Sequence, residues 1–162
     1  MNKIVIFGNS GSGKSTLAEE LSDSDGLDHF DLDSVAWLST SPPERKPIEK
    51  SILEIDEFKK SKNSWVIEGC YADLLETVIT EASEIIFLNL SVDACISNAK
   101  NRPWEPHKYA SKLEQDSKLE MLIGWIAQYA ERNDEFSRSS HEKLFNDCRG
   151  KKTMYINNER IN

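Results

Sequence analysis

Cysteine is scarce. Cys70, Cys95 and Cys148 are odd in number, far apart and in no C-x-x-C pairing. That argues against a disulfide framework, a thiolate metal site and secretion, and points to a reduced, cytoplasmic chain. Long apolar runs are also missing. Nothing approaches the ~20 residues of a transmembrane helix, and the N-terminal stretch Ile4-Val5-Ile6-Phe7 is too short for a signal segment. Basic residues are in deficit, 20 against 28 acidic ones, for a net charge of −8. Such a chain is not built to wrap nucleic acid or to lie on an anionic membrane, although a local basic pocket is compatible with it. What remains is one globular domain spanning residues 1–162, since domains average roughly 150 residues.

Glycine and proline are few, so their positions carry information. Of 7 glycines, Gly8, Gly11 and Gly13 fall within six positions, while Pro42, Pro43 and Pro47 mark one loop and Pro103 and Pro106 another. Between these breaks lie short β-branched runs that read as buried strands: Ile4 to Phe7, Ser64 to Ile67 and Ile85 to Leu88. Thr153 to Ile156 is a weaker strand, and His29-Phe30 opens another. Helical spacing runs through Ile48, Ile52, Ile55 and Phe58, and through Leu119, Leu122, Ile123, Ile126 and Ala130 as one long helix ending near Arg132. Shorter helices are expected over 73–82, 92–100 and 141–148. Strands alternating with helices predict an α/β fold with parallel pairing, here a mostly parallel five-stranded sheet between helical layers. Ligands in such folds sit at the carboxyl ends of the strands.

Gly8-Asn9-Ser10-Gly11-Ser12-Gly13-Lys14-Ser15 follows the first strand, opens a helix through Thr16 and matches G-x-x-x-x-G-K-[ST] in full. Glycines let the backbone curl until its N–H groups face phosphate oxygens. The helix beginning at Lys14 adds its positive dipole end. Lys14 brings a charge to the β- and γ-phosphates, and the Ser15 hydroxyl is a Mg²⁺ ligand. The motif therefore predicts ATP and Mg²⁺ at residues 8–16. A guanine-reading N-K-x-D is absent, since Asn98-Ala99-Lys100-Asn101 lacks the final Asp. Ile85 to Leu88 runs into Asn89-Leu90 with no acid to polarise a water; Glu68, before Gly69, is the one acid at a comparable strand end. Small size without a hydrolase acid points to a kinase.

The phosphate loop with Thr16, the D-x-D of Asp31-Leu32-Asp33 and the R-P of Arg102-Pro103 together resemble the shikimate-kinase and adenylate-kinase group of small P-loop kinases. The resemblance covers most of the chain, and its overall likeness is greatest to bacterial adenylate-kinase-like P-loop proteins of the topology-modulation type. Trp65 to Tyr71 also resembles the strand-to-D-G-[FY] turn of nucleoside monophosphate kinases. Ala72-Asp73 stands where those kinases carry Pro-Arg, however, and shikimate kinases place a run of glycines there. The departure disfavours a nucleoside monophosphate as acceptor.

The resemblance implies roles for the acids: Asp31 holds Mg²⁺ through water, and Asp33 receives the acceptor hydroxyl. On a strand the two would share a face; the alternative is a helix cap, Asp33 or Ser34 preceding Val35-Ala36-Trp37. Glu68 is a second base, an acceptor-site hydrogen-bonding group, a residue orienting water in a slow ATPase, or merely the end of a strand. Gly69 marks close backbone approach at the acceptor site, and Tyr71 either walls the pocket or packs. Lys100, Arg102, Lys108 and Lys112 concentrate charge in an expected lid over residues 101–116, where Arg102 is the candidate to stabilise the transferring phosphoryl group. Trp104 is a candidate cover for the site. Arg138, and Arg132 beside it, fall where the resembled kinases often have a nucleotide-binding arginine. His29, His107 and His141 have no metal spacing. The resulting expectation is a phosphotransferase acting on a small-molecule hydroxyl or phosphate, a monomer or homodimer without nucleic-acid or membrane partners. Its rival is a nucleotide-dependent regulator.

Overall fold

The computed structural model describes residues 2–159. Five strands form one all-parallel sheet in the order β2-β3-β1-β4-β5, with β1 spanning Lys3–Gly8, β2 Asp28–Asp31, β3 Trp65–Gly69, β4 Glu84–Leu88 and β5 Lys151–Tyr155. Each strand except the outer two is nearly all apolar because helices cover both faces. Alternation decides which side chain goes where. Val5 and Phe7 join Ile67, Ile85 and Phe87 on one face, while Ile4 and Ile6 join Val66, Ile86 and Leu88 on the other.

The first face is covered by α2 (Asp33–Ala36), α3 (Ile48–Lys60), α4 (Ala72–Ile79) and α8 (Arg138–Asp147), which contribute Val35, Ile55, Leu74, Leu75, Val78 and Leu144. The second is covered by α1 (Lys14–Asp25), α5 (Val92–Lys100) and α7 (Leu119–Ala127) through Leu17, Ala18, Cys95, Ala99 and Ile126. A short helix, α6 (Lys112–Ser117), lies between α5 and α7. The five strands, the helix beginning at Lys14 and the helices over 48–58 and 92–100 stand where the sequence puts them, to within a few residues.

Other boundaries differ for identifiable reasons. The helix expected to run to Arg132 ends at Ala127, because Gln128 and Tyr129 bond three residues back and the Tyr129 carbonyl is taken by the Arg138 N–H. Arg138 instead begins α8, ahead of the expected start at His141. Ser137 caps that helix by accepting from the Ser140 N–H. Asp33 is not on a strand at all: β2 ends at Asp31, and Asp33 opens α2. The two acids therefore do not share a strand face. The expected helix cap is absent too, since Leu32 caps α2 without a side-chain bond. The small helix α6 has no sequence periodicity strong enough to announce it.

His141 is fully buried behind the sheet, its ring edge-on to Phe7 and Phe87. Nε2 lies 2.8 Å from the Cys70 carbonyl and so must donate; Nδ1 then accepts from the Tyr129 hydroxyl at 2.7 Å. Burial, aided by the charge of Lys14, lowers the imidazole to about 4. The folded state holds His141 neutral, so its contribution to stability is present above the ordinary value of 6.5 and is lost as pH falls toward 4. The full effect is about 3 kcal/mol. His141→Gln should unfold more readily in urea at pH 7, and its stability should fall less steeply than wild type between pH 6.5 and 4. Parallel slopes would mean that the ring is already charged in the native state.

Candidate functional site

The loop after β1 is held from outside. Gly11 has φ 78°, and a Cβ there would sit 2.5 Å from the Cys95 carbonyl oxygen on α5. Only glycine satisfies both demands. Outward-facing carbonyls find amide donors: Asn98 Nδ2 donates to Gly11 O at 2.8 Å, and Asn158 Nδ2 to Ser12 O at 2.9 Å. Asn98 also donates to Asn158 Oδ1 at 2.9 Å, joining α5 to the segment after β5. Lys14 Nζ donates to Asn9 O at 2.8 Å, which folds its side chain back over the loop.

Of the motif residues, Ser10, Gly11, Gly13, Lys14, Ser15 and Thr16 line a cleft of about 660 Å³. Gly8, Asn9 and Ser12 do not; they shape the loop from behind. Asn9 donates to Ile126 O at 3.2 Å, and Ser12 is fully buried with its hydroxyl unpartnered. Asn98 and Asn158 both line the cleft and carry no sequence signal beyond being asparagines.

Carboxylates gather at the ends of β2 and β3. Glu68, 2% exposed, accepts from Ser15 Oγ at 2.6 Å and lies 3.2 Å from His29 Nε2. That hydrogen bond raises the His29 pKa against the opposing effect of burial. Asp31 pairs in register with Glu68, and its Oδ1 accepts the Asp33 N–H at 2.9 Å, which turns the chain into α2. Burial, with the negative charges of Glu68 and Asp33, raises Asp31 to about 6. Asp33 goes the other way: burial pushes it up, but Lys108, the Tyr71 hydroxyl and Lys14 together hold it below the usual carboxylate range. Gly69 packs on Leu32, whose side chain would lie 2.8 Å from any added Cβ.

Tyr71 does not wall the cleft. It is 2% exposed, its hydroxyl donates to Asp33 Oδ1, and it accepts from Trp37 Nε1 at 2.7 Å. Behind it, the Arg45 guanidinium lies 4.8 Å from the Tyr71 ring. Arg45 donates to both Asp73 oxygens at 3.2 and 3.1 Å and to Glu135 at 3.0 Å. Asp73, which stands where the resembled monophosphate kinases have arginine, is thus half of a wall brace.

Across the cleft runs the segment after α5. Arg102 faces the cavity and pairs with Glu105 at 3.2 Å. Lys108 Nζ reaches Asp33 Oδ2 at 3.2 Å, Asp31 Oδ2 at 3.6 Å and Glu105 Oε2 at 3.7 Å. Trp104 also lines the cleft. Arg138 is not brought to it; its guanidinium stacks 5.1 Å from the Tyr129 ring. Arg132 likewise is committed elsewhere, 3.9 Å over Trp125 and bonded to Asp134. Cys70 lines the cleft, but burial pushes its thiol up to about 12, so it is no nucleophile. Among the described residues no cluster of three His, Cys, Asp or Glu could hold a metal ion by itself.

Removing the brace tests its weight. Arg45→Met should cost about 1–2 kcal/mol in urea unfolding, because it leaves two part-buried carboxylates facing each other and strips a cation from three rings. A loss under about 0.5 kcal/mol would show that solvent already screens the cluster.

Residues 4–121 match the family model described as an AAA domain. No curated protein matches the chain. Among solved structures it is similar to an unliganded sugar kinase from Janibacter sp., at 14% identity over 99% of this chain and 87% of that one, with a TM-score of 0.57. A shikimate kinase from Bacteroides thetaiotaomicron (18% identity, 90% and 97% coverage, TM-score 0.46) and a deoxyadenosine kinase from M. mycoides with bound dCTP (14%, 98% and 92%, 0.44) also match. At such identities the likeness is one of fold. The family match covers well over half of the chain: it belongs to the AAA domain family, and its fold is that of a P-loop kinase.

Proposed function

We propose that the chain transfers the γ-phosphoryl group of ATP to a hydroxyl of a small molecule. The observation that carries this reading is the placing of Asp33. One of its oxygens is fixed by Tyr71, the other is bonded to Lys108, and Asp33 lines the cavity that the phosphate loop also lines. The acceptor O–H attacks the γ-phosphorus as its proton passes to Asp33; the bond to the β–γ bridging oxygen breaks and ADP leaves. Lys14 and the loop N–H groups hold the phosphates, and Arg102 meets the charge on the transferring group.

Mg²⁺ fits the residues present. The Ser15 hydroxyl donates its proton to buried Glu68, so its lone pairs are free for a cation. All the neighbouring donors are hard oxygens, as this ion requires. Ser15 would hold it directly, with Glu68 and Asp31 acting through water, and the ion would neutralise charge on the β- and γ-phosphates. Glu68 thus serves the metal side of the cleft rather than the acceptor side.

The cations that line the cleft favour a hydroxyl over a phosphate acceptor. Lys14 belongs to the nucleotide and Arg102 to the transferring group, while Lys108 already faces carboxylates. Arg45 points away into its brace. An anionic acceptor would find no unpaired partner among them.

Lys14→Ala should weaken ATP·Mg²⁺ binding at least about tenfold by calorimetry while the fold persists, since it removes a charge and no core volume. Asp33→Asn should bind ATP as wild type does. It should transfer label from ATP to a metabolite extract about 10²–10⁴ times more slowly. Undiminished transfer by Asp33→Asn would remove Asp33 from the reaction.

A further inference from the structure

Three features of the cleft converge on one residue. Both carboxylate oxygens of Asp33 are occupied: Oδ1 accepts from Tyr71, and Oδ2 lies 3.2 Å from Lys108 Nζ. With Oδ1 turned to Tyr71, Oδ2 is the oxygen left for a reacting O–H, and it already carries the ammonium. The ammonium comes from across the cleft and is aimed by a stiff turn. The Lys108 and Tyr109 N–H groups both donate to Glu105 O at 3.0 Å, Trp104 Nε1 donates to Tyr109 O at 3.0 Å, and the Glu105 N–H donates to the Gln115 side chain at 2.8 Å. The same ammonium lies 3.6 Å from Asp31 and 3.7 Å from Glu105, so it has carboxylate partners on both banks.

We propose that Lys108 gates the reaction: it caps the proton-accepting oxygen of Asp33 until an acceptor hydroxyl displaces it, so that ATP is not spent on water. The proposal rests on the phosphotransferase reading above and adds discrimination between acceptor and solvent. Water is small and abundant, and in an uncapped site it would be held by Asp33 as an acceptor hydroxyl is. Its oxygen would bond to the γ-phosphorus, the bond to the bridging oxygen would break, ADP would leave, and the proton would pass to Asp33 Oδ2 and then to solvent. A capped Asp33 denies water that orientation. An acceptor brings further contacts with the cleft, which a lone water lacks, and these favour displacement of the ammonium. Lys108 is a positioning residue here, acting on the substrate through Asp33.

The test needs no knowledge of the acceptor. Steady-state ATP hydrolysis is measured with ATP·Mg²⁺ alone for wild type, Lys108→Met, Lys108→Arg and Lys108→Met/Asp33→Asn, with ATP affinity by calorimetry as the check on folding. A positioned base contributes roughly 10²–10⁴-fold, so uncapping it should raise hydrolysis by about tenfold or more in Lys108→Met. Lys108→Arg, which keeps a cation at the site, should stay near wild type, and the double variant should fall back to it. Unchanged or slower hydrolysis in Lys108→Met with ATP affinity intact would overturn the gate. So would a rise that survives Asp33→Asn, since the water would then be activated elsewhere. If Lys108→Met loses ATP affinity, Lys108→Gln is measured in its place against the same thresholds. Wild type is also run with labelled ATP and a metabolite extract. A labelled acceptor there, beside a silent Lys108→Met, rejects the gate alone, whereas no labelled acceptor at all rejects the phosphotransferase reading and the gate with it.

Discussion

A backbone that turns its N–H groups toward an anion must turn carbonyls toward something else, and those carbonyls must be satisfied. That constraint organises this molecule. The loop after β1 gives its Gly11 and Ser12 carbonyls to Asn98 and Asn158, and its Asn9 carbonyl to Lys14. Asn98 is on the helix that follows β4, and Asn158 follows β5. The half of the sheet on the β4 side of β1 therefore braces the loop. The half on the other side, β3 and β2, ends in Glu68 and Asp31 and supplies the carboxylates. Sheet order thus becomes a division of labour between holding and chemistry.

Asp33, Glu68 and Glu105, which line the cleft, and Asp31 beside them would repel one another if their surroundings were alike. The structure makes each surrounding different. Glu68 has the Ser15 hydroxyl and His29, while Glu105 has Arg102 and part of Lys108. Asp33 has Tyr71 and the nearest approach of Lys108, and is held ionised. Asp31, half-buried beside the others with only a longer contact to Lys108, takes the strain and is raised to about 6. Two acids one residue apart thereby diverge in proton affinity, which suits them to different tasks.

The phosphate loop was legible because its spacing is dictated by local backbone geometry, and the strands because alternation and burial are local too. Asp31 and Asp33 were legible as a pair, but not as a strand end followed by a helix start. That turn depends on Asp31 Oδ1 taking the Asp33 N–H, a bond that competes with continued pairing to β3. The sequence leaves Tyr71 open between cleft wall and packing because its partners, Trp37 and Asp33, come from 34 and 38 residues away. Asn98 and Asn158 are illegible for the same reason: their meaning lies in carbonyls on another segment. The expected role of Arg138 at the nucleotide depended on a position in the resembled kinases, and here that position begins a helix behind Tyr129.

Residue 73 shows how one reversed charge redirects a whole wall. An arginine there would project a cation from the start of α4; the aspartate instead draws Arg45 in from the loop before α3. Arg45 also bonds Glu135, and its guanidinium lies against Tyr71, Trp37 and Phe136. Trp37 and Phe136 are themselves stacked, 3° from parallel. The arrangement links α2, α4 and the turn before α8 into one rigid block, and the last member of its hydrogen-bond chain is Asp33. The opposite bank reaches this wall through the ion pairs of Lys108, a part-exposed side chain whose bonds are exchangeable with water. In the proposed reaction the wall, which cannot move without unstacking aromatic rings, fixes where the acceptor hydroxyl must be. The ammonium that can exchange its partners decides when.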